Sequence, residues 1–215
     1  MKNQQQEIIY RRQQYLGIVS RRVNPGSGSR PEFLRSRTLT YSITDLKKIL
    51  PQTRFVVVGG AATRLYMPER MTLDVDIIIA IEDAIKAEEE LKAAGCVKQG
   101  ALSIGGDSWT LPDDFSFPFG SLDVIILSEP WVREAIQHPK IGSDGLPYID
   151  LPYLVLMKLS ASRIQDLADI SRMLGGANED DLKKTRSVIK KYLPNDLEDL
   201  ESLISLGKLE MKRDT

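Results

Sequence analysis

The spacing of hydrophobic residues changes along this chain, and each change marks an element. Arg54-Phe55-Val56-Val57-Val58 is an unbroken run rich in β-branched residues, the pattern of a strand covered on both faces. Leu73 to Ala80 (LDVDIIIA) and Ser121 to Leu127 (SLDVIIL) predict two further buried strands. Gly59-Gly60 closes the first strand, and the following AATRLYM predicts a short helix stopped by Pro68. Upstream, Thr44 can cap a short helix from Asp45 to Leu50 that Pro51 ends. An amphipathic helix is predicted from Glu82 to Ala94, ending at Gly95, with Glu82/Lys86 and Glu88/Lys92 as i,i+4 pairs facing water. Residues 97–120 mix glycine, proline and aromatics and predict no element. From Leu151 onward the spacing turns helical, predicting helices at about 151–160, 163–174, 178–192 and 196–206. Strands and helices in the first two-thirds, followed by helices alone, predict an α+β fold with a mixed sheet and a helical C-terminal half.

Composition narrows the chemistry. Of 215 residues, 42% are hydrophobic and 27% charged, the balance of a globular protein with enough chain for a sizeable core. No apolar run approaches the roughly 18 residues of a membrane span. The N-terminal MKNQQQEIIYRRQQYL lacks an export-type apolar segment, so a cytoplasmic location is expected. One cysteine, Cys96, excludes an internal disulfide, and one histidine, His138, excludes a histidine-based metal site. Any metal here would be held by carboxylates.

Charge is uneven. Residues 1–37 hold eight Lys or Arg against two Glu, a net +6, while the remainder holds twenty-one basic against twenty-eight acidic residues, a net −7. Such a basic arm can grip a polyanion such as RNA, or fold back onto its own acidic body. Pro25-Gly26-Ser27-Gly28-Ser29-Arg30-Pro31 is a break after it. The expected organisation is a basic extension and linker at 1–40, an α/β core at 41–150 and a helical region at 151–215.

The chemistry concentrates in GGAATRLYMPERMTLDVDIII. Asp74 and Asp76 stand two apart on a predicted strand and project from one face, with Val75, Ile77 and Ile79 on the other. Two carboxylates on an otherwise apolar strand repel each other and lose hydration, a cost that a divalent cation removes. Asp123, between Leu122 and Val124, offers a third carboxylate on another buried strand. Three such acids can hold two metal ions, one activating a hydroxyl and one neutralising a leaving phosphate. Gly59-Gly60, between strand and helix, lets a phosphate approach the backbone closely. Lys158 interrupts an apolar helix, so its ammonium must find an anion or reach water, and a triphosphate is one such anion. Arg163 and Asp166 are i,i+3 neighbours able to pair with each other, and Asp169 can orient Lys158 or Arg163. The other candidates read as structural: His138 as an exposed helix end, Cys96 as a small buried residue, and Asp113-Asp114 as a solvated turn. Trp109 and Trp131 read as core or rim aromatics, with base stacking open to Trp109, and Ser108 and Ser121 lack the company of a serine hydrolase triad.

Val58-Gly59-Gly60, Asp74-Val75-Asp76 and Asp123 together resemble the nucleotidyltransferase superfamily that includes DNA polymerase β-like enzymes. Arg70-x-Thr72-x-Asp74 and the stretch from Leu154 to Ile170 are similar to its prokaryotic AbiEii-type toxin branch, and the resemblance covers residues 45–175. It implies a nucleotidyltransferase-fold core that moves a nucleoside monophosphate from an NTP to an acceptor hydroxyl with Mg²⁺ or Mn²⁺, two ions being expected. Asp74, Asp76 and Asp123 are then the metal-binding catalytic residues, and Gly59, Gly60, Arg70, Thr72, Lys158, Arg163 and Asp166 form the nucleotide side. The acceptor it implies is RNA, tRNA in a toxin–antitoxin setting included, with a protein or small molecule as alternatives, and a cognate antitoxin is a possible partner. The alternative from another class is a binding or antitoxin-like module that keeps the fold without turnover.

Overall fold

A computed structural model describes residues 2–23, 25, 46–67, 74–112 and 121–211. The chain divides into two compact units. One joins Met1–Ser36, Tyr66–Pro68 and Leu151–Thr215, and the other joins Arg37–Leu65 and Glu69–Asp150.

The second unit is built on a seven-stranded sheet. Its strands are β1 (Val56–Val57), β2 (Asp74–Ala80), β3 (Val97–Ala101), β4 (Gly106–Thr110), β5 (Ser121–Leu127), β6 (Lys140–Ile141) and β7 (Pro147–Tyr148), in the order β3-β4-β5-β2-β1-β7-β6. β2 and β5 run parallel, as do β1 and β7, and the other neighbours are antiparallel. β2 and β5 are central because their apolar residues cannot face water: Val75, Ile77, Ile78, Ile79, Leu122, Val124 and Ile125 are all buried. Helices Gly59–Thr63 and Pro130–Gln137 pack on β2, the latter through buried Val132 and Ala135. Helix Ala84–Ala93, entered by a 3₁₀ turn at Ile81–Asp83, buries Ala87 and Leu91. With Ile79, Trp109 and Val124 these two residues line a small cavity of about 90 Å³.

The strands and helices lie close to where the hydrophobic spacing puts them, with instructive differences. β1 pairs only through Val56 and Val57, and the following helix begins at Gly59 itself. The cap at Thr44 lies outside the described residues. Glu88 and Lys92 form the expected pair at 2.6 Å, but Glu82 and Lys86 do not. Glu82 sits in the 3₁₀ turn, where i,i+4 spacing no longer applies, and accepts two bonds from Arg133 at 2.6 and 3.1 Å. Lys86 donates instead to the Gln52 carbonyl at 2.6 Å. The segment with no predicted element holds the β3–β4 hairpin. β3 is exposed along its whole length, so it carries no apolar alternation to read.

The other unit is helical. Leu151–Ala161 is buried nearly all round, with Leu151, Leu154, Val155, Leu156 and Leu159 in the core, the mark of a central helix. Helices Ile164–Gly175 and Glu179–Tyr192 pack against it within one residue of their predicted bounds, and Leu197–Met211, which packs on the first of these, runs five residues beyond its predicted end. Asn178 caps the second of these by accepting from the Asp181 amide at 2.9 Å. Gly175 and Gly207 bring two helix backbones so close that a Cβ on either would overlap the other chain segment. The basic arm forms a helix, Lys2–Arg22, that docks on this same unit. Its Arg12 is only 3% exposed and forms ion pairs with Asp196 and Asp199, each at 3.0 Å. Arg12 also donates to the Leu159 carbonyl at 3.1 Å and to Ser162 Oγ at 2.5 Å. The fold-back alternative therefore describes residues 2–22. Among the described residues, no helix is long and apolar enough to cross a membrane.

Candidate active site

The acid-bearing face follows from strand alternation. Along β2, Val75 and Ile77 are buried while Asp74 and Asp76 keep partial exposure, and β5 repeats this with Leu122 and Val124 buried around half-exposed Asp123. The parallel register pairs Asp74 with Ser121 and Asp76 with Asp123. Asp76 and Asp123 are therefore side by side, about 4.8 Å apart as strand neighbours, with Asp74 two residues along the same face. Sequence spacing supplies the Asp74/Asp76 pair, and the sheet adds Asp123.

Gly59 meets this face. Its φ of 59° lies in the left-handed region, and a Cβ built on it would overlap Oδ2 of Asp76. The Val58 amide donates to the Asp76 carbonyl at 2.8 Å, which fixes β1 and the glycine turn against β2. Thr63 Oγ1 closes the short helix by donating to the Gly60 carbonyl at 2.6 Å.

On the other side of β5, Ser108 of β4 stands opposite Asp123, and its hydroxyl donates to Asp123 Oδ1 at 2.6 Å. This contact is invisible in the sequence, because the hairpin that carries Ser108 gives no periodic signal. The one available clue is Trp109. Once it is placed inward, its neighbour Ser108 must take the opposite, acid-bearing face. Trp109 itself is 2% exposed and lines the small cavity, so the core reading holds for it and base stacking does not.

Asp74, Asp76 and Asp123 are hard oxygen donors on one face, the donor type a small divalent cation takes. Among the described residues, however, no three His, Cys, Asp or Glu side chains converge on one point. Such a cation needs only one or two carboxylates when phosphate and water oxygens complete its shell, so these residues fit it by donor chemistry.

The remaining predicted residues lie elsewhere. Arg70 and Thr72 fall outside the described residues, as do Asp113 and Asp114. Lys158, Arg163 and Asp166 belong to the helical unit, where Lys158 Nζ donates to Asp166 Oδ1 at 3.0 Å and Asp169 Oδ2 at 2.9 Å. The anion that Lys158 requires is thus supplied one helix away, and all three groups are buried. Arg163 Nε donates to Asp166 Oδ2 at 2.7 Å while its side chain remains 76% exposed. Cys96 is buried, which pushes its thiol pKa up. His138 ends helix Pro130–Gln137 as an exposed residue, and Trp131 is partly exposed on the same helix.

No family model matches the chain, and no curated protein matches it. Solved structures do. ANT(2'')-Ia in complex with adenylyl-2''-tobramycin aligns at 16% identity and a TM-score of 0.44, over 77% of this chain and 98% of that one. A solution structure of the antibiotic-resistance factor ANT(2'')-Ia aligns at 16% identity and 0.42, over 77% and 90%. The Cid1 poly(U) polymerase aligns at 17% identity and 0.30, over 69% of this chain but only 40% of that one.

Proposed function

We propose that this chain is a metal-dependent nucleotidyltransferase that moves a nucleoside monophosphate from an NTP to an acceptor hydroxyl. The observation that carries the reading is the registered pair Asp76 and Asp123, with Asp74 on the same face and Gly59 pressed against Asp76. Side-by-side carboxylates repel one another, and a fold keeps such an arrangement at a cost unless a cation offsets it. Mg²⁺ or Mn²⁺, when bound, would supply charge neutralisation for the triphosphate and a more acidic acceptor hydroxyl.

In this reading Asp74 and Asp76 hold the ions, and Asp123 sits on the acceptor side and takes part in removing the hydroxyl proton. The acceptor oxygen bonds to the α-phosphorus, the α–β phosphoanhydride bond breaks, and pyrophosphate leaves. The backbone amides around Gly59-Gly60 are the proposed donors to the triphosphate. Arg70 and Thr72 belong to the nucleotide side of the proposal. Lys158, Arg163 and Asp166 are carried in the proposal as nucleotide-binding residues; within their own unit Asp166 and Asp169 balance the Lys158 charge and the Arg163 side chain is exposed.

The acceptor class proposed first is RNA, with tRNA modification by a toxin under a cognate antitoxin as its specific form. The test is incubation with each α-labelled NTP, Mg²⁺ or Mn²⁺, and total RNA, in parallel with protein and small-hydroxyl acceptors. Label transfer by the wild type and none by Asp76→Asn is the expected result. Nucleotide binding without transfer to any acceptor would favour the non-turnover module instead.

A further inference from the structure

Resting on the three-acid reading, we infer that Ser108 is a positioning residue for Asp123. Asp123 has a neighbour on each side: Asp76 across the parallel pairing and Ser108 across the antiparallel one. The first neighbour repels its carboxylate and the second holds it, with Ser108 Oγ 2.6 Å from Oδ1. An aspartate on a strand has few rotamers, and a hydroxyl donor on β4 favours the one that brings Oδ1 to Ser108. It also divides the work of the two oxygens: Oδ1 accepts from Ser108, which leaves Oδ2 as the oxygen a cation would take. The donor is itself well fixed. Its neighbour Trp109 is buried opposite Leu122 of β5, and Asp107 is tied to Lys98 of β3 at 2.7 Å, so β4 is held from both sides.

The hydroxyl can be tested apart from its shape, because threonine and valine are nearly isosteric and both suit a strand. The full chain is prepared as wild type, Ser108→Thr, Ser108→Val and Asp123→Asn. Binding of Mn²⁺ alone is followed by the electron paramagnetic resonance of the free ion, with thermal melts for each variant. The metal concentration for half-maximal transfer is measured beside these. Ser108→Thr is expected to match the wild type, and Ser108→Val to bind Mn²⁺ roughly ten- to a hundredfold more weakly, as for a lost bond to a charged group. Its melt should stay near the wild type, and saturating metal should restore much of its transfer rate. If Ser108→Val binds Mn²⁺ like the wild type while Asp123→Asn does not, Ser108 positions nothing. The same holds if threonine and valine impair binding equally. If Asp123→Asn binds and turns over normally, the three-acid reading itself fails and the inference falls with it.

Discussion

Asp76 rests its carboxylate on the bare Cα of Gly59, whose backbone adopts φ 59°. A methyl group there would claim the space Oδ2 now fills, and a left-handed φ costs a non-glycine residue about 1–2 kcal/mol before any clash. Gly59→Ala should therefore lower the melting temperature and displace Asp76 together. Calorimetry with and without Mn²⁺ checks both: the variant melts earlier and loses most of the metal response. A variant that melts early but responds normally would mean that Gly59 serves the turn alone.

If Asp74 and Asp76 share a cation, the metal-free protein carries repulsion that binding relieves. Mg²⁺ or Mn²⁺ should raise the melting temperature, and further with NTP, because a ligand selective for the native state adds stability by mass action. Asp76→Asn should melt at or above the wild-type temperature without metal and show no metal shift. Equal shifts in both proteins would remove the metal claim.

Lys158 gives a different kind of prediction. Read as a phosphate ligand, Lys158→Met would be a volume-conserving swap costing under about 1.5 kcal/mol. The structure instead shows Lys158 bridging two buried carboxylates, and its removal leaves Asp166 with Arg163 alone and takes the ammonium from Asp169, so a loss of about 3–5 kcal/mol is expected from urea unfolding. A small loss of stability with a large loss of NTP affinity would return Lys158 to direct nucleotide contact.

The Arg12 cluster predicts a pH effect. Burial raises the Asp199 carboxyl above the usual range, Arg12 opposes this by attraction, and the Asp196 charge adds to it. A carboxyl with a raised native pKa binds its proton more readily folded than unfolded. Its stabilising contribution is thus complete below the unfolded value of about 3.9 and is lost as pH rises through the native value. Asp199→Asn removes that titration. The melting temperature of the wild type relative to Asp199→Asn should therefore rise as pH falls from 7 toward 4. A constant difference across that range would contradict it.

Much of this was legible from spacing alone. Period-2 alternation around Asp74 and Asp76, the SLDVIIL strand and the four C-terminal helices all report on burial, which is what hydrophobic spacing encodes. What stayed hidden depends on partners distant in sequence. Ser108 reaches Asp123 only because a hairpin whose outer strand β3 is wholly exposed pairs through β4 beside β5. Glu82 chose Arg133 over Lys86, fifty-one residues away rather than four. Arg12 looks like one more charge of a solvated basic arm, yet it is buried against Asp196 and Asp199, and no local pattern distinguishes it from exposed Arg11.

The parallel pairing of β2 with β5 has a kinetic consequence. The strands are adjacent in space but separated in sequence by the β3–β4 hairpin and helix Ala84–Ala93, so no two-residue turn can zip them together. Chain must be closed into a long loop before Asp76 and Asp123 become neighbours, and the reward for that closure arrives late. A nascent chain would present the two acids separately, each hydrated, and the acid-bearing face would come into being only as the central strands lock.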